Sequence, residues 1–191
     1  MRLLPVLLLL ASCSVLQNNA VLSGNGKKGY DSSYIYTLPF AYGKNVFVVQ
    51  GYHSWFSHKH DIAIDFKVKK GTAIFAARGG IIAAVRDDSD KRGLQSENLA
   101  DGNYIFIAHN DGSVAHYWHL KQNGALVKEG EIVKEGQLIG LSGNTGYSAF
   151  PHLHFDVAGY DAEGNFIALP TRFKTKQGIL YLRPGRFYKA L

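Results

Sequence analysis

The chain has 191 residues, a length that suits one globular domain with a hydrophobic core. Hydrophobic residues make up 46% of the chain, which excludes intrinsic disorder as the starting interpretation. The formal net charge of +6 favours anionic partners. The Lys and Arg residues are scattered over strand and turn segments without the pattern of a recognition helix, so we predict no nucleic-acid partner.

The first residues of the sequence are typical of a targeting signal. Residues 1–12, MRLLPVLLLLAS, contain an apolar run too short to span a bilayer, as in a removable signal peptide. The letters LASC, which end at Cys13, resemble the lipobox at which bacterial signal peptidases cut before a cysteine that is then acylated. This resemblance implies an extracytoplasmic protein anchored to a membrane by lipid on Cys13. Ser14, the residue after this cysteine, resembles the signal that sorts lipoproteins to the outer membrane. If the source is a diderm bacterium, the protein would be anchored there and face the periplasm. The alternative is an ordinary signal peptide cut after Ala20.

The rest of the chain divides into a tether and a β-rich domain. Residues 13–33 are polar and glycine-rich, as in a flexible tether. Residues 34–191 contain many short runs of Val, Ile, Tyr and Phe, separated by turn sequences such as Asp111-Gly112. We therefore predict an all-β fold of mainly antiparallel sheets, a sandwich or hybrid barrel with little helix. Residues 87–103 are predicted to be a long surface loop.

An approximate repeat suggests a rival fold. Val-Lys-Glu-Gly occurs at residues 127–130 and again at 133–136, and it resembles the hairpin turns of lipoyl and biotin carrier domains. Those carriers present a modifiable lysine at the tip of a tight hairpin. The lysines here lack the flanking Met or Asp that marks such a tip. A carrier module would carry a modified lysine and no metal.

Histidines offer the clearest chemistry, and two of them stand one residue apart in the segment HLHF. On a strand, residues i and i+2 point to the same face and lie roughly 7 Å apart. His152 and His154 are therefore predicted to share one face, with Leu153 and Phe155 on the other. Two imidazoles on one face are typical of metal binding or acid-base chemistry.

Two further segments supply candidate ligands. The letters SHKHDIAIDF place His58 and His60 just before a strand that carries Asp65. In HYWHL, alternation predicts that Tyr117 and His119 face the same side. Zinc catalysis needs three protein ligands from His, Asp or Glu and an open position for water, and these segments can provide that set.

The segments SHKHDIAIDFKVKKGTAIFAARGG, YWHL and GLSGNTGYSAFPHLHFDV, in that order and spacing, resemble the lysostaphin and LytM-type zinc metallopeptidases, which cut peptidoglycan. The resemblance covers about residues 51–157. It implies one zinc ion per chain, and the implied metal ligands are His58, Asp65 and His154. The residues implied to orient or deprotonate the attacking water and to stabilise the oxyanion are His119 and His152.

The first ligand has an alternative. His58 follows Phe-Ser and precedes Lys, as in one branch of the family, whereas four residues separate His60 from Asp65 and match neither spacing of the family. We therefore prefer His58. Phe150 stands where many relatives have Gly and is predicted to narrow one end of the groove.

Other residues near these motifs receive simpler interpretations. Asp156 stands where many relatives have Glu, and we interpret this difference as peripheral. His109 and His116 are interpreted as structural. Asn144, Thr145 and Tyr147, in and directly after the turn SGNTG, are candidates for binding substrate amides.

The resemblance implies a zinc-dependent metalloendopeptidase that cleaves peptide stems or cross-links of peptidoglycan. Links from D-Ala to a diamino acid and oligoglycine bridges are both substrates in the family, and both stay open here. The alternative is a non-catalytic wall-binding lipoprotein or amidase activator that retains the fold. The complete set of ligands and imidazoles favours the enzyme. No oligomeric state is predicted.

Overall fold

The structure is a computed structural model that describes residues 35–54, 61–161 and 163–191. The predicted signal peptide and tether, and with them Cys13, lie outside the described residues, as do both candidates for the first metal ligand, His58 and His60. Within the described ranges no helix is long and apolar enough to cross a bilayer.

Short strands are the main regular structure of the described residues. In chain order they are β1 (Ile35–Thr37), β2 (Asn45–Gln50), β3 (Ala63–Lys67), β4 (Ala73–Phe75), β5 (Gly80–Arg86), β6 (Arg92–Gly93), β7 (Tyr104–Ala108), β8 (Val114–Trp118), β9 (Leu120–Ala125), β10 (Ile132–Val133), β11 (Leu138–Ser142), β12 (Gly146–Tyr147), β13 (His152–Tyr160), β14 (Phe166–Ala168), β15 (Arg172–Thr175), β16 (Gly178–Leu180) and β17 (Arg186–Lys189). One 3₁₀-helix spans Ser96–Asp101.

The strands form one large sheet and three small ones. The large sheet has nine antiparallel strands in the order β10-β5-β7-β8-β13-β3-β2-β17, with β14 also paired to β13. The small sheets are β1-β15-β16, β4-β11-β9 and β12-β6. The predicted all-β, mainly antiparallel fold with little helix is confirmed. Among the described residues, the parallel pairs are β1 with β15 and β6 with β12.

The hydrophobic core covers one face of the large sheet. Alternation along the central strands turns Ile64, Phe66, Tyr117 and Phe155 into this core, where each is at most 1% exposed. The core also contains buried side chains of the small sheets, namely Tyr36, Ile74, Ile139 and Phe173. Each such large side chain contributes about 1.5–3 kcal/mol by leaving water, so the central strands are fixed from their inner face.

The predicted turn at Asp111-Gly112 is confirmed as the hairpin between β7 and β8. Gly112 adopts a φ of 82°, a conformation that glycine takes without steric cost. The Asp111 carboxylate accepts hydrogen bonds from the backbone and hydroxyl of Ser113 and pairs with Arg78 at 2.6 Å. This hairpin brings β8 alongside β7, and β8 in turn pairs with β13.

The interpretation of residues 87–103 as a plain surface loop is wrong. The segment contains β6 and the 3₁₀-helix, and β6 pairs with β12 in the stretch that precedes His152. The buried Asn103 side chain donates to the Ser89 carbonyl at 2.8 Å, so the segment is tied down at its end. Hydrogen bonds between residues distant in sequence hold residues 87–103 against the loop before β13. The polarity of the segment does not reveal these bonds.

Candidate metal centre

Three neighbouring strands at the middle of the large sheet carry the site. In the strand register, His154 of β13 lies opposite Asp65 of β3 on one side and Trp118 of β8 on the other. His152 precedes His154 by two residues, and the intervening Leu153 is buried in the core. The prediction that His152 and His154 share the face opposite the core is confirmed.

A carboxylate and an imidazole meet at the centre of this face. The Asp65 Oδ1 atom lies 2.9 Å from His154 Nδ1, and Gln50 Nε2 donates a hydrogen bond of 2.7 Å to the other oxygen of Asp65. Desolvation of His154 works against its charged form, but the hydrogen bond that His154 donates to Asp65 and the negative charge of Asp65 outweigh that effect and raise the pKa of His154. The Asp65 carboxylate is therefore held rigidly, with one oxygen directed at His154.

The His119 side chain reaches the site by breaking the alternation of its strand. Continuing the pattern of β8 would place His119 on the core side with Tyr117. Instead His119 has a left-handed φ of 62°, and its ring centroid lies 4.6 Å from that of His152 and 5.8 Å from that of His154. The prediction that Tyr117 and His119 share a face is wrong, because non-glycine residues rarely adopt this conformation and alternation assumes an extended chain.

Backbone carbonyls fix the proton of two imidazoles. His119 Nδ1 lies 2.7 Å from the Thr145 carbonyl oxygen, and His152 Nδ1 lies 2.8 Å from that of Phe150. A carbonyl oxygen only accepts hydrogen bonds, so each Nδ1 carries the hydrogen and each Nε2 presents a lone pair. Burial lowers the pKa of His119 to about 3, and the neighbouring His152 and His154 add to this effect, so His119 is neutral at neutral pH.

Four of the five residues predicted from sequence converge in this way. Ligand atoms of His119, His152 and His154 all lie within 4.8 Å of one another, and His152 Nε2 is 3.7 Å from Asp65 Oδ1. The fifth, His58, lies outside the described residues. The division into metal ligands and catalytic residues therefore stays a prediction.

The side chains present fit a zinc ion. In a tetrahedral zinc site, bonds of about 2.0–2.2 Å place neighbouring ligand atoms roughly 3.3 Å apart. Asp65 Oδ1 and His154 Nδ1, at 2.9 Å, are close to that separation. A cation held between these atoms would take the place of the proton that they share. Imidazole nitrogen and carboxylate oxygen are both donors that zinc accepts in proteins.

Residues of the loop SGNTG hold the imidazole of His119 and the backbone of Phe150 in place. Thr145 is buried, its hydroxyl donates to the Leu120 carbonyl at 2.8 Å, and its own carbonyl holds His119. The buried Asn144 side chain lies 2.7 Å from the Phe150 carbonyl and 2.7 Å from Arg92 Nη1. These side chains bond to the protein itself, so they position the site and are not free to contact substrate amides as expected.

Phe150 contributes both its backbone and its ring. Its carbonyl accepts the hydrogen bond from His152, and its ring centroid lies 5.3 Å from the imidazole centroid. Lys67 Nζ lies 4.0 Å from the Phe150 ring centroid on the same side of the sheet. The bulky ring therefore packs against His152 and restricts its orientation.

A second carboxylate lies behind His154. His116 Nδ1 is 2.6 Å from Asp156 Oδ1, and Asp156 Oδ2 is 3.7 Å from His154 Nε2. Desolvation works against ionisation of Asp156, but the neighbouring His116 outweighs it and lowers the pKa of this carboxyl. Both nitrogens of His154 thus face a carboxylate. Asp156 therefore lies beside the site, and the interpretation of its difference from Glu as peripheral stays a prediction.

Sequence reasoning could have found one of the two residues that it missed. Asp156 continues the alternation of His152 and His154, so the same period-two rule already places it on the site face. Gln50 gave no comparable signal, since a glutamine at the end of an apolar strand is unremarkable in itself. Its role depends on a register shift between Val48 and Gln50 that places it opposite Asp65.

Comparison with known proteins agrees with this geometry. Residues 58–166 match the model of Peptidase family M23. The chain belongs to this family. The predicted relationship to lysostaphin and LytM-type peptidases is confirmed, and the M23 family consists of zinc metallopeptidases, in agreement with the predicted cofactor.

Individual M23 relatives align with only part of their length. The peptidoglycan DD-endopeptidase ShyA of Vibrio cholerae is 36% identical over 93 residues, which are 49% of this chain and 19% of ShyA. Lysostaphin of Staphylococcus simulans is 34% identical over 92 residues, 48% of this chain and 17% of lysostaphin. The catalytic domain of the prophage-encoded M23 protein EnpA from Enterococcus faecalis superimposes with a TM-score of 0.50 at 24% identity, covering 68% of this chain and 93% of that domain. The chain therefore matches about a fifth of the length of these two curated relatives.

Proposed function

We propose that this M23 peptidase is a zinc-dependent endopeptidase that hydrolyses peptide stems or cross-links of peptidoglycan. The observation that carries the proposal is the convergence of a buried carboxylate, Asp65, with three imidazoles on one face of the central strands. His119 and His152 each bond a backbone carbonyl through Nδ1, so the lone pair of each lies on Nε2. The name of ShyA, a peptidoglycan DD-endopeptidase, supports the choice of substrate.

The proposed metal ligands are His58, Asp65 and His154. Zinc, when bound, lowers the pKa of a bound water to near 7 and polarises a carbonyl group. Gln50 holds the carboxylate of Asp65, and Asp156 faces the far nitrogen of His154. Partners of this kind fix the orientation of metal ligands.

The proton movements are assigned to His119 and His152. The Nε2 lone pair of one imidazole accepts a proton from the attacking water as its oxygen bonds to the scissile carbonyl carbon. The other imidazole, when protonated, donates a hydrogen bond to the developing oxyanion. The proton taken from water then passes to the leaving nitrogen as the C–N bond breaks, and the remaining proton of the new carboxylic acid passes to the released amine through solvent, which leaves a carboxylate and an ammonium group. The Nδ1 bonds to backbone carbonyls keep both rings oriented throughout.

We also propose that the mature chain is a lipoprotein, acylated at Cys13 and held at an extracytoplasmic membrane surface. The proposal rests on the apolar run before the letters LASC. Export would bring the enzyme to the compartment that contains peptidoglycan. Labelling of the expressed protein with a fatty-acid probe, lost in Cys13→Ser, tests this assignment. Equal labelling of both forms would contradict it.

The enzyme assignment is tested with residues 14–191, His154→Ala and His119→Ala. We expect the parent to hold one zinc per chain and to release fragments from isolated sacculi. His154→Ala should lose zinc and activity together, because it removes a proposed ligand. His119→Ala should retain zinc and lose fragment release by on the order of 100-fold or more, the typical contribution of general acid-base catalysis. A parent without zinc that releases no more fragments than the variants would refute the assignment.

Two further variants identify the first ligand. His58→Ala should lose zinc, whereas His60→Ala should retain it. Zinc loss in His60→Ala alone would transfer the role to His60. Zinc loss in His119→Ala and His152→Ala, with retention in both other variants, would instead indicate a site built from the three clustered imidazoles.

A further inference from the structure

The charge of the chain is unevenly distributed along its length. No Asp or Glu follows residue 163, but six of the 21 Lys and Arg residues do. The other 15 basic residues are balanced by the 15 acidic residues of the chain. The whole formal net charge of +6 therefore comes from residues 164–191.

The structure gathers part of this segment on one surface, which we call the C-terminal face. It comprises β16, β17 and the residues around them. A groove of about 890 Å³ is lined here by side chains that include Ile179, Tyr181, Arg183, Arg186 and Phe187. Lys176, Arg183 and Arg186 are exposed, and the ion pairs formed within the described ranges include none of these three.

Apolar side chains are exposed on the same surface. Ile179 is 51% exposed and Tyr181 is 43% exposed. Long cationic side chains beside exposed aliphatic and aromatic ones are typical of surfaces that lie in the headgroup layer of a membrane. Such a layer accepts the charges at its phosphates and the apolar side chains just below them.

The position of β1, where the described domain begins, also favours contact between the C-terminal face and a membrane. β1 pairs with β15 in parallel, and Ile35 lies opposite Arg172. The described domain thus begins in the small sheet that also contains β16, on the side of the C-terminal face. The sequence that precedes Ile35 leads back to Cys13, the proposed acylation site.

We propose that the C-terminal face docks on an anionic phospholipid surface. A hydrated wall polyanion would pair with the cations but would offer nothing to Ile179 and Tyr181, whereas a membrane interface accommodates both kinds of side chain. The docking is independent of peptide hydrolysis. β17 is separated from β13 by β2 and β3, which is roughly 14 Å across the sheet.

Vesicle binding tests the proposal without the lipid anchor. The protein is the mature chain, residues 13–191, with Cys13→Ser. The probes are vesicles of equal parts phosphatidylglycerol and phosphatidylethanolamine, and vesicles of phosphatidylcholine alone. We expect binding to the anionic vesicles only. The triple variant Lys176→Gln/Arg183→Gln/Arg186→Gln should bind them on the order of 100-fold more weakly, because each cation near an anionic leaflet strengthens binding roughly fivefold. Ile179→Ser should weaken binding by about tenfold.

Exposed positions of β9 and β10 and of the turns beside them supply matched controls. Lys121→Gln/Lys128→Gln/Lys134→Gln removes the same charge from exposed positions, and Ile132→Ser removes an isoleucine that is 76% exposed. We expect the charge control to weaken binding by less than about fivefold, through net charge alone. Zinc content and the unfolding midpoint establish that each variant is folded. The single variants Arg183→Gln and Arg186→Gln replace the triple variant if it does not fold.

Three results would overturn the proposal. The first is equal binding of the parent to anionic and phosphatidylcholine vesicles. The second is an equal loss of binding in the control and the C-terminal triple variants. The third is a C-terminal triple variant that binds vesicles normally but binds isolated sacculi more weakly, which would assign the face to the wall polymer. Metal-free protein should bind vesicles as the zinc form does, so loss of hydrolysis alone leaves this test unaffected.

Discussion

The two faces of the central strands β3, β8 and β13 differ in almost every property. The inner face carries Phe66, Tyr117 and Phe155, which are buried in the apolar core. One residue along each strand, the outer face carries polar side chains that bond to one another, as Asp65 does with His154. The backbone that supports the chemistry is therefore the same backbone that the core holds in place.

This difference separates stability from function by a single residue. Side chains of the inner face contribute burial and packing, whereas side chains of the outer face contribute donors, acceptors and charge. A substitution on the inner face should thus lower the free energy of unfolding, which a substitution on the outer face should leave nearly unchanged. A substitution on the outer face should instead alter metal binding or catalysis. The strands also give the site a rigid base, which keeps donors in place better than loops do.

The largest expected effect on stability is that of Phe155→Ala. Removal of this buried ring should lower the free energy of unfolding by about 3–5 kcal/mol, through lost burial and the cavity left behind. His119→Ala, on the outer face, should cost only about 1 kcal/mol, since it removes one hydrogen bond to a carbonyl. Urea unfolding of the metal-free proteins measures both values. Equal losses of stability would remove the distinction between the faces.

A smaller effect is expected within the outer face, for Asp156→Asn. We expect zinc affinity to fall by about 10–100-fold, because the carboxylate faces the far nitrogen of His154 and such partners tune metal ligands. Competition with a chromogenic chelator measures the affinity. Asp88→Asn, which removes an equal charge from an exposed position, is the control. A similar loss in both variants would attribute the effect to net charge.

The smallest effect is expected at the hairpin turn, which belongs to neither face. Burial of Asp111 opposes its ionisation, but hydrogen bonds from Ser113 and Arg78 outweigh burial and lower its pKa to about 2. Because this value lies below that of the unfolded chain, the stabilisation is complete above about pH 4 and disappears as the pH falls towards 2. Asp111→Asn should cost about 1–2 kcal/mol at pH 7, since the pair is partly exposed.

Urea unfolding of the parent and Asp111→Asn between pH 2 and 7 tests this sign. The difference in the free energy of unfolding should shrink as the solution becomes more acidic. A difference that stays constant with pH would show that the turn is stabilised by the shape of Asp111 and not by its charge.

The parts of the site that follow the period of a strand could be predicted from the sequence. Alternation alone assigned His152 and His154 to one face of their strand, whereas Asp65 was grouped with them through the resemblance to the peptidase family. His119 could not be placed in this way, since a left-handed residue reverses the direction of its side chain and nothing in the letters HYWHL marks it. The bracing of residues 87–103 depends on contacts distant in sequence.

The position of β13 has a consequence for the dynamics of the site. This strand pairs with β3 and β8 around His154 and with β8 and β14 towards its end. Strands at the centre of a sheet open only when most of the domain does, whereas the edges β10 and β17 can fray alone. Amide hydrogens of β13 should thus be among the slowest to exchange with solvent.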